Sequence, residues 1–206
     1  MTLVLTFVYG GCCSGKSTFA EQLLQGFTAI QEKFYVATMW PEGADAQKRI
    51  HRHRTQRANK GFTNCERYID IGGLEVPKGS AVLLECLGNL VANEMFQPEG
   101  AGNTTNTVVL EGITALAART AHLIVVSNEV GCDGNSYCEQ TRAYQLTLAA
   151  LNRELLALSS CAVEMVCGIP LYLTPCYPAR SAEPTPPCRP ARSAEGRMLQ
   201  DPKTMN

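Results

Sequence analysis

A chain of 206 residues that is 45% hydrophobic can bury a sizeable core in one domain, and a formal charge of −1 supplies no field for nucleic acid or an anionic membrane. The apolar N-terminal run lacks a basic start and no window is long enough to span a bilayer, so the chain reads as soluble and cytoplasmic. Ten cysteines at irregular spacing, without a C-x-x-C pair, read as thiols in a reducing compartment rather than as a disulfide framework.

Leu3 to Thr18 reads LVLTFVYGGCCSGKST. A β-type run leads into Gly10, and Gly15, Lys16 and Ser17 complete G-x-x-x-x-G-K-S, the phosphate-binding loop. Glycines let successive backbone N–H groups turn toward phosphate oxygens, and the helix that follows offers its positive end to the same anion. The candidate nucleotide site is therefore Gly10, Gly11, Cys12, Cys13, Ser14, Gly15, Lys16 and Ser17, with Lys16 on the terminal phosphates and Ser17 on magnesium. Helical spacing of Phe19, Ala20, Leu23 and Leu24 predicts a helix over Ser17 to Gly26.

Phe34 to Thr38 reads as a second buried strand, with Thr38 at the carboxyl edge where open α/β sheets bind ligands. Gly43 to Asn59 reads as a helix carrying RIHRHRTQR. Arg49, His53 and Arg57 share one face at intervals of four, flanked by Arg52 and Gln56, whereas His51 lies roughly 160° around the helix from His53. Charge patterning alone favours a solvated basic face; a phosphate loop in the same chain shifts the balance toward a polyphosphate partner.

Gly61 to Ile71 suggests irregular or short-strand structure before a turn at Gly72 and Gly73. Ala81 to Glu85 is a buried strand that ends in a carboxylate, which can hold magnesium, directly or through water, or take a proton from an attacking hydroxyl. The plainer alternative for Glu85 is an incidental charge at a strand end. Leu87 to Phe96 reads as a helix with Asn89 and Asn93 on one face, Thr107 to Ala118 as a second, and Cys138 to Leu158 as a long third. Leu123 to Val126 is a strand followed by Ser127, Asn128 and Glu129, and Val163 to Leu173 a strand pair broken at Gly168 and Pro170. This alternation predicts an α/β domain with a largely parallel sheet over residues 1–173. Beyond it, PCYPARSAE from Pro175 recurs as PCRPARSAE from Pro187, so 174–206 reads as a Pro-rich, disordered tail dispensable for chemistry.

GGCCSGKS, YVAT, RIHRHR, LLECLGNLVANEMF, VSNEVG, the Leu151–Asn152 pair and GIPLYL together resemble, in this order, the bifunctional adenosylcobinamide kinase/adenosylcobinamide-phosphate guanylyltransferases. The resemblance covers roughly residues 3 to 173 and implies a P-loop protein with a RecA-like sheet, assembled as a homo-oligomer, with a trimer as its form. It implies two reactions of coenzyme B12 assembly that use ATP and GTP with Mg2+. One phosphorylates the aminopropanol hydroxyl of adenosylcobinamide; the other transfers GMP from GTP to that phosphate through a guanylylated histidine. The histidine of RI-x-x-H falls on His53, the residue that shares its face with Arg49 and Arg57. Two guanidiniums beside it would keep the imidazole neutral and nucleophilic, and would stabilise charge on the attacked phosphate. Loops similar to this one usually carry Arg where this chain has Cys13, and CDGNSYCEQT replaces a more frequent glycine-isoleucine-valine-proline pattern after VSNEVG. Competing readings are a P-loop kinase of another small alcohol and a nucleotide-dependent regulatory module.

Overall fold

In the computed structural model the described residues are 4–43, 47–48, 51, 55, 60–131 and 134–173. Strands β1 (Leu5–Tyr9), β2 (Lys33–Ala37), β3 (Thr63–Glu66), β4 (Ala81–Glu85), β5 (His122–Val126), β6 (Cys161–Val166) and β7 (Ile169–Tyr172) form one sheet in the order β3-β2-β4-β5-β1-β6-β7. Every neighbouring pair is parallel except β6 with β7. Helices α1 (Lys16–Gly26), α2 (Leu87–Phe96), α3 (Thr105–Arg119) and α4 (Glu139–Leu158) cover its two faces. The architecture is thus the expected α/β P-loop fold, with β5 inserted between the loop strand β1 and the acid-bearing strand β4, the RecA-like order.

Strands buried on both faces need continuous apolar runs, and β4 shows why this sequence supplies one. Leu83 packs with Val8, Ile124 and the α1 residues Ala20 and Leu24. Val82 and Leu84 point the other way, into a core shared with Leu90 of α2, Ile113 and Leu116 of α3, and Leu148 and Leu151 of α4. All of these are essentially inaccessible, and each Val, Leu and Ile among them contributes about 1.5–3 kcal/mol relative to exposure. Because β1, β2, β4 and β5 run in one direction, their carboxyl ends meet at one edge.

The closing strands differ from expectation in one detail. Cys167 (φ +49) and Gly168 (φ +84) form the two-residue turn between Val166 and its partner Ile169, as left-handed hairpin turns require. Pro170 does not break the strand but lies within β7 opposite Met165. An edge strand tolerates the missing N–H. Cys161, at the start of β6, is disulfide-bonded, whereas Cys12, Cys13, Cys65, Cys86, Cys138 and Cys167 are free. That corrects the expectation of thiols throughout, since spacing along a chain does not show which sulfurs a fold brings within bonding distance. Among the described residues no helix is long and apolar enough to cross a membrane.

Candidate nucleotide site

The loop between β1 and α1 is shaped by glycine where no other residue fits. Gly10 has φ +148, and a Cβ there would lie 2.5 Å from the backbone oxygen of Met165 in β6. Gly15, at φ +93, caps α1 without a side-chain hydrogen bond. Neighbouring elements hold the loop from outside: Glu129 N donates to Gly10 O at 3.0 Å, and Gly168 N of the β6–β7 turn donates to Ser14 O at 3.0 Å. Lys16, only 6% exposed, curls back so that Nζ donates to Gly11 O. Burial pushes the Lys16 ammonium below its usual pKa, partly offset by Cys12, Cys86 and the Glu85 carboxylate. A phosphate brought to this ammonium favours its charged form, so anion binding and lysine protonation reinforce each other.

Ser17, in the first turn of α1, donates its hydroxyl to Glu85 Oε1 at the end of β4. Two elements 68 residues apart in sequence therefore present a hydroxyl and a carboxylate side by side next to the loop. These are hard oxygen donors and suit magnesium. Among the described residues no group of three or more His, Cys, Asp or Glu side chains gathers, so a magnesium ion here would take its remaining oxygens from nucleotide and water.

Thr38 follows directly on β2, at the carboxyl edge where its sequence reading put it. It is fully buried, and its hydroxyl donates to Cys86 O and accepts from Cys86 N, each at 2.8 Å. Its backbone N donates to Glu85 O at 3.1 Å, and its carbonyl accepts from Asn93 Nδ2 at 2.8 Å. With both its hydroxyl and its backbone engaged, Thr38 braces the chain behind Glu85. Asn93 also donates to Tyr68 O at 2.9 Å, so one buried amide ties α2 to the segments after β2 and β3. Ser127, likewise inaccessible, donates to Asn152 Oδ1 at 2.5 Å and anchors α4.

The basic constellation is the part least visible. His53, Arg49, Arg52 and Arg57 lie outside the described residues. Gln47, Lys48, His51 and Thr55 of that segment are helical, with Thr55 Oγ1 donating to His51 O at 3.0 Å, and His51 is exposed. Sequence reasoning missed two features of this edge. One is the support from Gly168, for which no local signal exists; the other is the ring pair of Trp40 and Tyr68, with centroids 5.3 Å apart, hinted at only by a lone tryptophan after YVAT. A cavity of about 330 Å3 lined by Phe7, Tyr9, Asn152, Arg153, Leu156 and Leu173 opens beneath α4, on the face away from α1, and includes none of the loop residues.

Against solved structures, the chain is similar to flagellar accessory protein FlaH from Methanocaldococcus jannaschii, with 14% identity and a TM-score of 0.41 over 78% of this chain and 70% of that one. It is also similar to a solved ATPase domain, with 10% identity and a TM-score of 0.44 over 79% of this chain and 69% of that one. No curated protein matches the chain. The family model described as cobinamide kinase / cobinamide phosphate guanyltransferase matches residues 6–173. Running from within β1 to the residue after β7, the match takes in the loop, Glu85 and every element that holds them, and by it this chain belongs to the cobinamide kinase / cobinamide phosphate guanyltransferase family of cobalamin biosynthesis.

Proposed function

We propose that this protein carries out both reactions on adenosylcobinamide, phosphorylating its aminopropanol hydroxyl and then transferring GMP from GTP to the new phosphate through a guanylyl-His53 intermediate. The observation that supports this best is the pairing of Ser17 with Glu85 beside a glycine loop whose lysine is buried. Backbone N–H groups from Gly11 to Ser17 would cradle the triphosphate, and Lys16 would stabilise charge that develops as a phosphoryl oxygen is displaced. Ser17 and Glu85 would hold Mg2+, which when bound neutralises charge on the phosphate oxygens. In the kinase reaction the hydroxyl oxygen attacks the γ-phosphorus, its proton passes to Glu85, the bond from the γ-phosphorus to the β,γ-bridging oxygen breaks, and the nucleoside diphosphate leaves.

In the second reaction the neutral His53 imidazole attacks the α-phosphorus of GTP, the bond to the β-phosphate oxygen breaks, and pyrophosphate leaves. Arg49, Arg52 and Arg57 would offset the charge on the α-phosphate. An oxygen of adenosylcobinamide phosphate then displaces His53, forming the new P–O bond and regenerating the free imidazole. We assign ATP and GTP as substrates, a cytoplasmic location and a homotrimeric assembly on the family resemblance. One loop serves both reactions, so Lys16→Ala is expected to lower both turnover numbers by about 10²-fold or more, as loss of a transition-state cation does. Separate assays of phosphorylation and guanylyl transfer test this, and a variant that retains either activity at the parent rate contradicts the shared loop.

A further inference from the structure

The phosphate loop presents two thiols beside the backbone N–H groups that would meet phosphate. Cys12 and Cys13 are both exposed and free, and their Sγ atoms lie 3.6 Å apart. Adjacent side chains in an extended strand point to opposite faces; here Cys13 is left-handed (φ +56), and the turn brings both sulfurs together. Three fates for such a pair can be weighed. A disulfide between neighbours is disfavoured, because Cα atoms about 3.8 Å apart across a trans peptide fall short of the usual span of about 4.4–6.8 Å. A structural metal needs more donors, and among the described residues no group of three His, Cys, Asp or Glu forms. The third fate is capture of an atom that demands two thiolates and brings its own third substituent. A centre bonded to each sulfur at about 2.3 Å, the length of a zinc–thiolate bond, would subtend an angle of about 103° at this separation, close to tetrahedral.

We propose that Cys12 and Cys13 form a dithiol site that captures trivalent organoarsenic compounds and thereby closes the phosphate loop to nucleotide. The reaction balances without electron transfer. An arsenic(III) oxide R–As=O forms two As–S bonds, both thiol protons leave with the oxygen as water, and arsenic stays trivalent. Cys12 and Cys13 both lie near enough to act on the charge of the Lys16 ammonium, so an adduct on them stands beside the group that would meet the phosphates. The blocking effect rests on the reading of this loop as the nucleotide site; the capture itself does not.

Intact-mass measurement of the full-length protein after treatment with phenylarsine oxide, in the presence of a monothiol, tests the capture. The parent protein is expected to carry one phenylarsenic more than Cys12→Ser and one more than Cys13→Ser, while Cys65→Ser, Cys138→Ser and Cys167→Ser load like the parent. Equal loading of the parent and both loop variants overturns the site. GTP binding of the treated parent then tests the block. Affinity should fall by about tenfold or more, comparable to losing one charge-assisted hydrogen bond, and should return with a dithiol but not a monothiol. A loaded protein that binds GTP with unchanged affinity overturns the block, absence of two-sulfur capture overturns the dithiol site, and GTP binding that Lys16→Ala leaves unchanged in untreated protein overturns instead the placement of nucleotide on this loop.

Discussion

Glu85 answers to two neighbours. It takes a hydrogen bond from Ser17, and its peptide is clamped from behind by Thr38. Glu85→Gln keeps the volume and an acceptor for Ser17 but removes the charge and the proton acceptor, so the kinase turnover number is expected to fall by about 10²–10³-fold with little change in thermal stability. Paired kinetic and melting measurements check this, and an unchanged rate would return Glu85 to an incidental strand-end charge. Thr38→Val acts through position instead. It leaves the backbone N and carbonyl of Cys86 without their buried partner and is expected to cost about 1–3 kcal/mol in denaturant unfolding. The sequence made the two residues look alike, polar groups at the ends of adjacent strands. What separates them is the set of Asn93 and Cys86 contacts around Thr38, and those come from another part of the chain.

At the scale of elements, the loop is only as good as the strands it leans on. Gly10→Ala would drive a methyl group into the β6 backbone and is expected to destabilise the fold by roughly 2–4 kcal/mol. Gly11→Ala, where a Cβ meets nothing within 4 Å, should change stability by no more than about 0.5 kcal/mol. Equal losses in the two variants would show that β6 does not shape the loop. His122, which opens β5, is hydrogen-bonded to Thr6 Oγ1 at 2.8 Å, lies against Phe27, and is held by burial at a pKa of about 4. The unfolded chain takes up this proton near pH 6.5, so stability is full above that value and is lost as pH falls toward 4. His122 should account for a loss of about 2 kcal/mol between pH 7 and pH 5, and His122→Gln should remove that part of the pH dependence in denaturant titrations. Strand β4 and helix α2 were legible residue for residue because buried apolar runs and a helical stripe are local signals. Pro170 was read as a break because nothing local shows that β7 is an edge.

For the whole molecule, the largely parallel sheet was foreseeable from the alternation of strands and helices, and its RecA-like character from the resemblance. The bracing of the loop by β6–β7 was not, since Ser14 and Gly168 meet only once the chain has closed. The family match ends at Leu173, two residues before the proline-rich repeat that starts at Pro175. Truncation after Leu173 is expected to leave melting temperature and both activities essentially unchanged, because that composition offers no core; an insoluble or inactive product would contradict it. The central claim, that a histidine of the basic segment carries GMP, is tested most directly by incubating the protein with α-phosphate-labelled GTP and examining it by denaturing electrophoresis. The account predicts a retained label, labile to acid and stable to alkali as a phosphoramidate should be, present in the parent and in His51→Ala and absent from His53→Ala. A label lost in His51→Ala and kept in His53→Ala would contradict the assignment, and no label in any of the three would leave a kinase of the same fold without guanylyl transfer.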